Sequence, residues 1–409
     1  MIKTGKQPIP LMTYIAILSV CFIINLPGVA IAPIEGKLKV LLHVSELEIQ
    51  LLTVLPNLVL IPFVLIAGKL SDYKHKIPLI LFSLILFLGS AIAYMLCDSV
   101  TGLIITSCSL GVANGILIPF AMGFIVNSFE GKYRTRNLGI KSATSNFGTV
   151  VASFVVGLLI QGNNWHLPFA VYLIAVVPLA LCFWLKYIPG FGKVPLAPAS
   201  YQSVSSATTN PKGIDYKKIW GLIANNVCVT FITFSIVIYL PQLLQGYNWN
   251  PRNAADITAF FFICVLLAGF ILERFIKLFK SFVFPLIGIF LLVGIALFTF
   301  IKSEWAMYCG SVLAGVAFGI FQPLIYDKTS YAIFDPKKNI YGLSLVLTAL
   351  YIAIAVEPFC ITGIVKIFHI TDENHFAFIL SFFIAIGYII LAYIFKNKFT
   401  FSIEKDYYS

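Results

Sequence analysis

Twelve apolar segments, each long enough to cross a lipid bilayer, constrain the fold of this chain more than any other feature. A transmembrane helix needs about 20 mainly apolar residues. Hydrophobic residues make up 59% of the chain and charged residues 11%, whereas a soluble domain has about 45–50% and about 25%. The sequence therefore predicts an all-α integral membrane protein with twelve transmembrane helices, over residues 11–33, 47–67, 77–96, 101–127, 137–160, 167–187, 219–244, 253–272, 282–301, 305–327, 340–368 and 375–396.

The chain also repeats itself over about half of its length. Residues 111–119 read GVANGILIP and residues 315–323 read GVAFGIFQP, an offset of 204, and two further pairs of segments keep offsets of 201 and 203. The long polar stretch 188–216 is rich in Pro, Gly, Ser and Thr, as flexible linkers are. We therefore predict an N-terminal six-helix half over 1–187, a linker, and a C-terminal six-helix half with a short tail over 217–409. Such duplication of membrane helices is typical of transporters.

Lysine and arginine are distributed unequally between alternate loops. With a cytoplasmic N-terminus, the inner segments hold 23 of the 28 basic residues and the outer segments hold 5. Cytoplasmic loops carry such an excess. We therefore expect a multi-pass protein of the cell membrane (plasma or inner membrane), with both termini and the linker in the cytoplasm. The net charge of +11 fits loops that face anionic lipid, and nucleic-acid binding is not expected.

Several classes of protein are disfavoured by what the sequence lacks. The eight cysteines occur singly, without the spacing of a zinc site or a disulfide framework. The five histidines are scattered, whereas a membrane enzyme should cluster them with Asp or Cys at one face. No GxxxxGK[ST] loop is present to bind ATP. We expect neither catalysis nor a metal or cofactor, and we expect a monomer.

A short loop signature follows the second apolar segment, where the sequence reads GKLSDYKHK. Its glycine allows helices to approach closely, its aspartate can accept hydrogen bonds from a helix N-terminus or an arginine, and its lysines favour the inner headgroup layer. The second half repeats the signature in degenerate form as GFILERFIK. The candidate conformational-switch residues are Gly68, Asp72, Lys74, Lys76, Glu273 and Arg274.

This signature resembles the loop between spans 2 and 3 of the major facilitator superfamily, which usually reads Gly-x-x-x-Asp-Arg/Lys-x-Gly-Arg/Lys-Arg/Lys. The segment NWHLPF at 164–169 looks like the Trp-Arg-x-Pro-Phe entry to span 6 in twelve-span exporters of that family. The resemblance covers essentially the whole chain. It implies two six-helix halves around a central cavity that opens alternately to either side. It also implies export of a small amphipathic molecule with the proton gradient as energy source.

The sequence departs from the exporter pattern at three places. Gly111 occupies the position at which many proton-driven members have an arginine in span 4, and the acidic residue of span 1 is missing, with Asn25 the nearest polar candidate. The usual Gly-Pro pair of span 5 is replaced by Ala152-Ser153. These departures leave open a facilitator, or an uptake or lipid-moving member without proton antiport. The alternative outside transport is a transport-like membrane sensor, which should carry an appended soluble domain.

Few polar side chains lie at bilayer depth, and each is a candidate for function. Glu357 is the carboxylate nearest the middle of a span. Because a charge at that depth is costly, such residues usually face a cavity or carry protons, and Glu357 is the candidate proton site. A structural, protonated glutamate is the alternative. Asp327 lies at a span end, where it could be an ordinary surface group. The candidate cavity-lining residues are Asn25, Asn114, Asn146, Asn226 and Gln322, with hydrogen bonding between helices as the alternative for each.

Overall fold

The computed structural model describes most of the predicted spans and little of the predicted linker. The described residues are 9–31, 34, 38, 46–70, 76–159, 164–185, 213–249, 251–335, 338–370 and 372–403. In these ranges the backbone is helical apart from turns, caps and an isolated bridge between Ile214 and Ile333. Residues 188–212 of the linker lie outside the described part, so the boundary between the two halves stays a prediction.

Twelve α-helices of ten or more residues occur in the described ranges. A 3-10 helix, Leu167–Ala175, precedes the sixth, and another, Lys280–Phe282, separates the eighth from the ninth. The α-helices are α1 (Leu11–Ile23), α2 (Glu46–Leu70), α3 (Lys76–Leu96), α4 (Val100–Ser128), α5 (Gly131–Leu159), α6 (Val176–Leu185), α7 (Tyr216–Gly246), α8 (Pro251–Phe279), α9 (Val283–Phe300), α10 (Glu304–Tyr331), α11 (Asn339–Phe368) and α12 (Glu373–Ile394).

The lengths and apolar character of these helices agree with a membrane protein. Among the described residues, nine helical stretches are long and apolar enough to cross a bilayer, and one of them, Asp256–Phe300, covers two predicted spans. Leu11–Ile23 and Leu55–Leu70 are shorter apolar helices at the first two predicted spans. The predicted all-α membrane fold is confirmed.

The chain forms two compact units, and each takes a short segment from the other half of the sequence. Helix α5 begins in unit 2 and continues in unit 1, and α11 begins in unit 1 and continues in unit 2. Unit 1 consists of Met1–Glu130, Thr144–Ile214 and Ile333–Tyr351, and unit 2 of Gly131–Ala143, Asp215–Ala332 and Ile352–Ser409.

The first span differs from its sequence prediction, because the helix predicted over 11–33 ends at Ile23. Pro27 cannot donate a backbone hydrogen bond, and its ring would clash with the carbonyl of Ile23 four residues earlier in a continued helix. Gly28 adopts a φ of 86°, in the left-handed region that favours glycine. The chain therefore continues as a series of turns through Ile31.

The repeated GVAxGIxxP segments pack alike in the two units. A Cβ added at Gly111 of α4 would lie 2.5 Å from the carbonyl oxygen of Pro56 in α2. A Cβ added at Gly315 of α10 would lie 2.6 Å from the carbonyl oxygen of Phe261 in α8. These distances leave no room for a side chain, and small residues at such positions allow membrane helices to pack closely. The arginine that the resemblance implies at position 111 would not fit in this packing.

Candidate functional site

The glycines of the two loop signatures are close-contact points with segments from the opposite half of the sequence. In unit 1, a Cβ at Gly68 would lie 2.5 Å from Oγ of Ser344 near the start of α11. In unit 2, a Cβ at Gly269 would lie 2.5 Å from the carbonyl oxygen of Gly139 near the start of α5. The first signature thus lies at the end of α2, whereas the second lies within α8, and the glycine of each packs against the segment that its unit takes from the other half.

The polar residues of the signature are described only in part. Asp72 and Lys74 lie outside the described residues, and so does the side chain of Lys76. Glu273 accepts a hydrogen bond from Nζ of Lys277 at 2.8 Å, one helical turn away and partly exposed. Arg274 is exposed. The switch role of these residues stays a prediction.

A buried ion pair lies in unit 2, near the close contact made by Gly139. Nε of Arg134 donates to Oδ1 of Asp327, and Oγ1 of Thr135 donates to Oδ2 at 2.5 Å. The Arg134 guanidinium also lies over the ring of Tyr331, 4.4 Å from its centroid. Asp327 is 0% exposed and Arg134 is 2% exposed, so Asp327 is not a surface group. A buried ion pair therefore connects the start of α5 to α10.

The residue of unit 1 that is equivalent to Asp327 is a glycine. Gly123 precedes Asp327 by 204 residues, the offset of the repeat, and a Cβ added there would collide with the side chain of Ile340. Ile340 packs in a buried apolar cluster with Ala67, Ile116 and Phe120. Asp327 thus makes an ionic contact in unit 2, whereas its equivalent Gly123 makes an apolar contact in unit 1.

Glu357 lies within unit 2, between three helices. It belongs to α11 and is 0% exposed. Oγ of Ser235, from α7, donates to its Oε1 at 2.7 Å and lies 2.7 Å from Oγ of Ser381, from α12. Oε2 is buried and accepts no hydrogen bond within the described residues. The site therefore holds a carboxyl group with one oxygen bonded to a hydroxyl and the other oxygen available for a proton.

Two of the predicted cavity-lining amides donate a hydrogen bond to the first span of their own half. Nδ2 of Asn114, in α4, donates to the carbonyl oxygen of Ile24 at 2.7 Å. Nε2 of Gln322, in α10, donates to Oδ1 of Asn226 in α7 at 3.1 Å. The remaining oxygens, Asn114 Oδ1 and Gln322 Oε1, are buried without a hydrogen-bond partner in the described residues.

The other predicted cavity residues are placed differently. Asn25 is exposed, in the turn that follows α1, whereas Asn146 is buried within α5 at 7% exposure. Asn25, Asn114 and Asn146 belong to unit 1, and Asn226 and Gln322 belong to unit 2. That these five residues line one cavity stays a prediction.

Sequence reasoning missed the partners of both buried carboxyl groups. Arg134 stands in the basic run KYRTR, where nothing distinguishes it from loop residues that face lipid headgroups. Ser235 and Ser381 lie 122 and 24 positions from Glu357 and follow no motif. Within the described residues, no cluster of three His, Cys, Asp or Glu side chains is arranged to hold a metal ion.

Comparison with known proteins supplies the family context. The family model described as Major Facilitator Superfamily matches residues 13–356. The multidrug transporter protein MdtP of Bacillus subtilis (strain 168) is 30% identical over 119 residues, which is 28% of this chain and 22% of that protein. Multidrug resistance protein 3 of the same organism is 22% identical over 284 residues, 63% of this chain and 51% of that protein. The chain thus aligns with about half or less of the length of these relatives.

Solved structures share the fold at low sequence identity. The proton:xylose symporter XylE, bound to 6-bromo-6-deoxy-D-glucose, superposes with a TM-score of 0.69 at 14% identity, covering 94% of this chain and 95% of that chain. The human organic anion transporter MFSD10 gives 0.65 at 10% identity, with coverages of 93% and 97%. FucP in the outward conformation gives 0.67 at 12% identity, with coverages of 93% and 98%. The predicted twelve-helix transporter fold is confirmed.

Proposed function

Because the chain belongs to the Major Facilitator Superfamily, we propose that this membrane transporter exports a small amphipathic molecule by alternating access, with protons moving in the opposite direction. Export is supported by the names of the two Bacillus relatives, both of which are multidrug proteins. The proposed setting is the cell membrane, with both termini cytoplasmic and the protein acting as a monomer.

Glu357 is the observation that carries the proposed proton coupling. Its carboxyl group is fully buried and accepts one hydrogen bond, from the uncharged Ser235, whose hydroxyl in turn contacts that of Ser381. Oε2 has no partner among the described residues. A charged carboxylate without a counter-charge is unfavourable in such surroundings, and a neutral acid is not. Alternation between a buried state and a state open to water would then load and release one proton.

The facilitator alternative has its own structural support. The close contact of Gly111 with the backbone of α2 removes the site at which many proton-driven relatives hold an arginine. With both this arginine and the acid of span 1 absent, Glu357 is the candidate for proton coupling, and the facilitator alternative has no proton coupling. The two alternatives give opposite results in one experiment.

The experiment measures flux of ethidium, an amphipathic cationic dye, in vesicles reconstituted with the purified protein. We expect an imposed pH gradient to accelerate ethidium transport by the wild type. We expect Glu357→Gln, nearly isosteric with the protonated acid, to abolish the acceleration while exchange without a gradient continues. Glu304→Gln, which neutralises an exposed glutamate at the start of α10, is the matched control and should retain the gradient effect.

Two results would contradict the proposal. Full gradient dependence in Glu357→Gln would make Glu357 structural and place the proton site elsewhere. Gradient-independent transport by the wild type would establish the facilitator. If ethidium is not carried, other amphipathic dyes of different charge replace it in the same comparison.

A further inference from the structure

Helix α1 ends inside its apolar segment, which continues to residue 33 although the helix stops at Ile23. Ile23 and Ile24 are 0% and 1% exposed, so the end of the helix lies in buried surroundings. The last four carbonyl groups of a helix have no partner within it and carry the negative end of the helix dipole. The break therefore places partial negative charge in the interior of unit 1.

Side chains and backbone from three other helical segments hold this break in place. Nδ2 of Asn114 donates to the carbonyl oxygen of Ile24 at 2.7 Å. On the far side of the turns, the hydroxyl of Tyr172 accepts a hydrogen bond from the Ala30 N–H at 3.3 Å. At the last turn of α1, the carbonyl of Phe22 approaches Gly148 so closely that a Cβ there would collide with it. The break is thus part of the packed structure.

An acceptor without a partner stands beside the break. Asn114 is 2% exposed, and its amide nitrogen is committed to Ile24, which leaves Oδ1 of the same amide buried without a hydrogen bond from any described residue. Asn25 is exposed and Pro27 is half-buried, and their main-chain carbonyl oxygens accept no hydrogen bond from the described residues. A buried acceptor without a partner is costly unless a ligand satisfies it.

We propose that the break in the first span binds a compact monovalent cation, with Asn114 Oδ1 and the main-chain carbonyls of Asn25 and Pro27 as ligands. The cation is either Na⁺ or the ammonium group of a transported molecule, because both are satisfied by neutral oxygens. In transporters with interrupted helices, unwound carbonyls and the C-terminal ends of half-helices coordinate such ions. A divalent cation is disfavoured, because calcium and magnesium sites rely on carboxylates.

The proposed cation site is independent of proton transfer at Glu357, which lies in the other unit. Its test is therefore a binding measurement that does not require transport. The purified wild-type protein in detergent is titrated with radioactive ²²Na⁺ and, separately, with methylammonium as competitor, in a buffer whose only other cation is the bulky N-methyl-D-glucamine.

We expect saturable ²²Na⁺ binding that Asn114→Leu weakens roughly tenfold or more, the loss typical when a group that supports a metal site is removed. Asn114→Asp keeps an acceptor oxygen at this place but cannot donate to the Ile24 carbonyl, and it should retain binding because its negative charge attracts the cation. Ser107→Ala is the matched control, because it removes another buried hydrogen bond of α4, the one between Ser107 and Tyr94 at 2.5 Å, and leaves the break intact.

The outcomes separate the two sources of the cation. Binding of Na⁺ that depends on Asn114 assigns the site to an inorganic ion. Displacement of Na⁺ by methylammonium at lower concentration, or binding of methylammonium alone, assigns it to the ammonium group of a substrate. Absence of binding for both cations, or binding unchanged in a folded Asn114→Leu variant, overturns the proposal. If Asn114→Leu does not fold, Asn114→Asp and Tyr172→Phe supply the comparison; the second variant removes the hydroxyl partner of Ala30. The proposal is then overturned if Tyr172→Phe binds the cation as the wild type does and a folded Asn114→Asp variant does not bind it.

Discussion

Arg134 and Asp327 lie 193 positions apart in the chain, and Nε of the one donates to Oδ1 of the other where neither side chain reaches solvent. Thr135 satisfies the second carboxylate oxygen, and the ring of Tyr331 covers the guanidinium. A buried ion pair fixes geometry more than it adds net stability, since both ions lose their hydration. The contact therefore holds the start of α5 in one register against the end of α10.

Loss of one member of this pair should be more harmful than loss of both. Arg134→Ala leaves Asp327 as a buried, uncompensated charge, and removal of one partner from such a pair costs roughly 3–5 kcal/mol. We expect the Arg134→Ala/Asp327→Ala double variant to unfold at a higher temperature than Arg134→Ala. Tryptophan fluorescence during heating in detergent gives the comparison. Lys277→Ala, which breaks the exposed pair with Glu273, is the control and should change stability by about 0–1 kcal/mol. A double variant less stable than both single variants would show that the pair acts mainly through its packing.

Gly111 should tolerate no side chain. An alanine Cβ there would lie 2.5 Å from the Pro56 carbonyl oxygen, so we expect Gly111→Ala to lower the thermal unfolding midpoint and Gly111→Arg to prevent accumulation of folded protein. Gly157→Ala is the matched control within a helix, because nothing lies within 4 Å of its Cβ position. That control should be neutral or stabilising by up to about 1 kcal/mol, the difference in helix propensity. Normal accumulation of Gly111→Arg would show that α2 and α4 can separate to admit the family arginine.

Asp72 belongs to the loop signature and gives a prediction that rests on the sequence alone. We expect Asp72→Asn to slow transport more than it lowers protein level, because a carboxylate beside a helix end or a cation stabilises one conformation over another. Such interactions contribute about 0.3–1 kcal/mol when exposed and up to about 2 kcal/mol when partly buried. Ethidium flux per molecule of reconstituted protein measures the effect. An unchanged rate at equal protein level would remove Asp72 from the conformational switch.

The orientation of the chain can be checked with fused reporters. Because 23 of the 28 Lys and Arg residues fall on one side of the predicted topology, that side should be cytoplasmic. An alkaline phosphatase fused at residue 205 or at the C-terminus should be inactive, whereas one fused between the first two spans should be active. Phosphatase activity at residue 205 or at the C-terminus would reverse the assignment.

The sequence predicts the fold better than it predicts the ends of the helices. Apolar segments of span length are required by the bilayer, so the α-helical membrane fold follows from composition and periodicity. The end of α1 at Ile23 is harder to predict from the sequence, because Asn25, Pro27 and Gly28 interrupt a stretch that is otherwise as apolar as its neighbours. Likewise α5 begins at Gly131, within a basic run that composition alone assigns to a loop.

The candidate site shows the same division. Glu357 could be selected from the sequence, because an acidic residue within an apolar span is unusual whatever its surroundings. Ser235 and Ser381 could not, since serine occurs throughout membrane helices. Only the tertiary structure brings the Ser235 hydroxyl to the carboxyl group and the Ser381 hydroxyl to Ser235. The burial of Arg134 could not be predicted from the sequence either, because basic residues are common in loops and only the tertiary structure buries this one.

The equivalence of Gly123 and Asp327 has a consequence for the ancestry of the chain. A duplication gives both copies the same residue at first, and the two copies now hold a glycine beside Ile340 and an aspartate beside Arg134. Selection at position 123 then acts on side-chain volume, whereas selection at position 327 acts on charge and is shared with position 134 in the other copy. In homologues, residues 134 and 327 should accordingly vary together, so that substitutions in one repeat copy constrain those in the other.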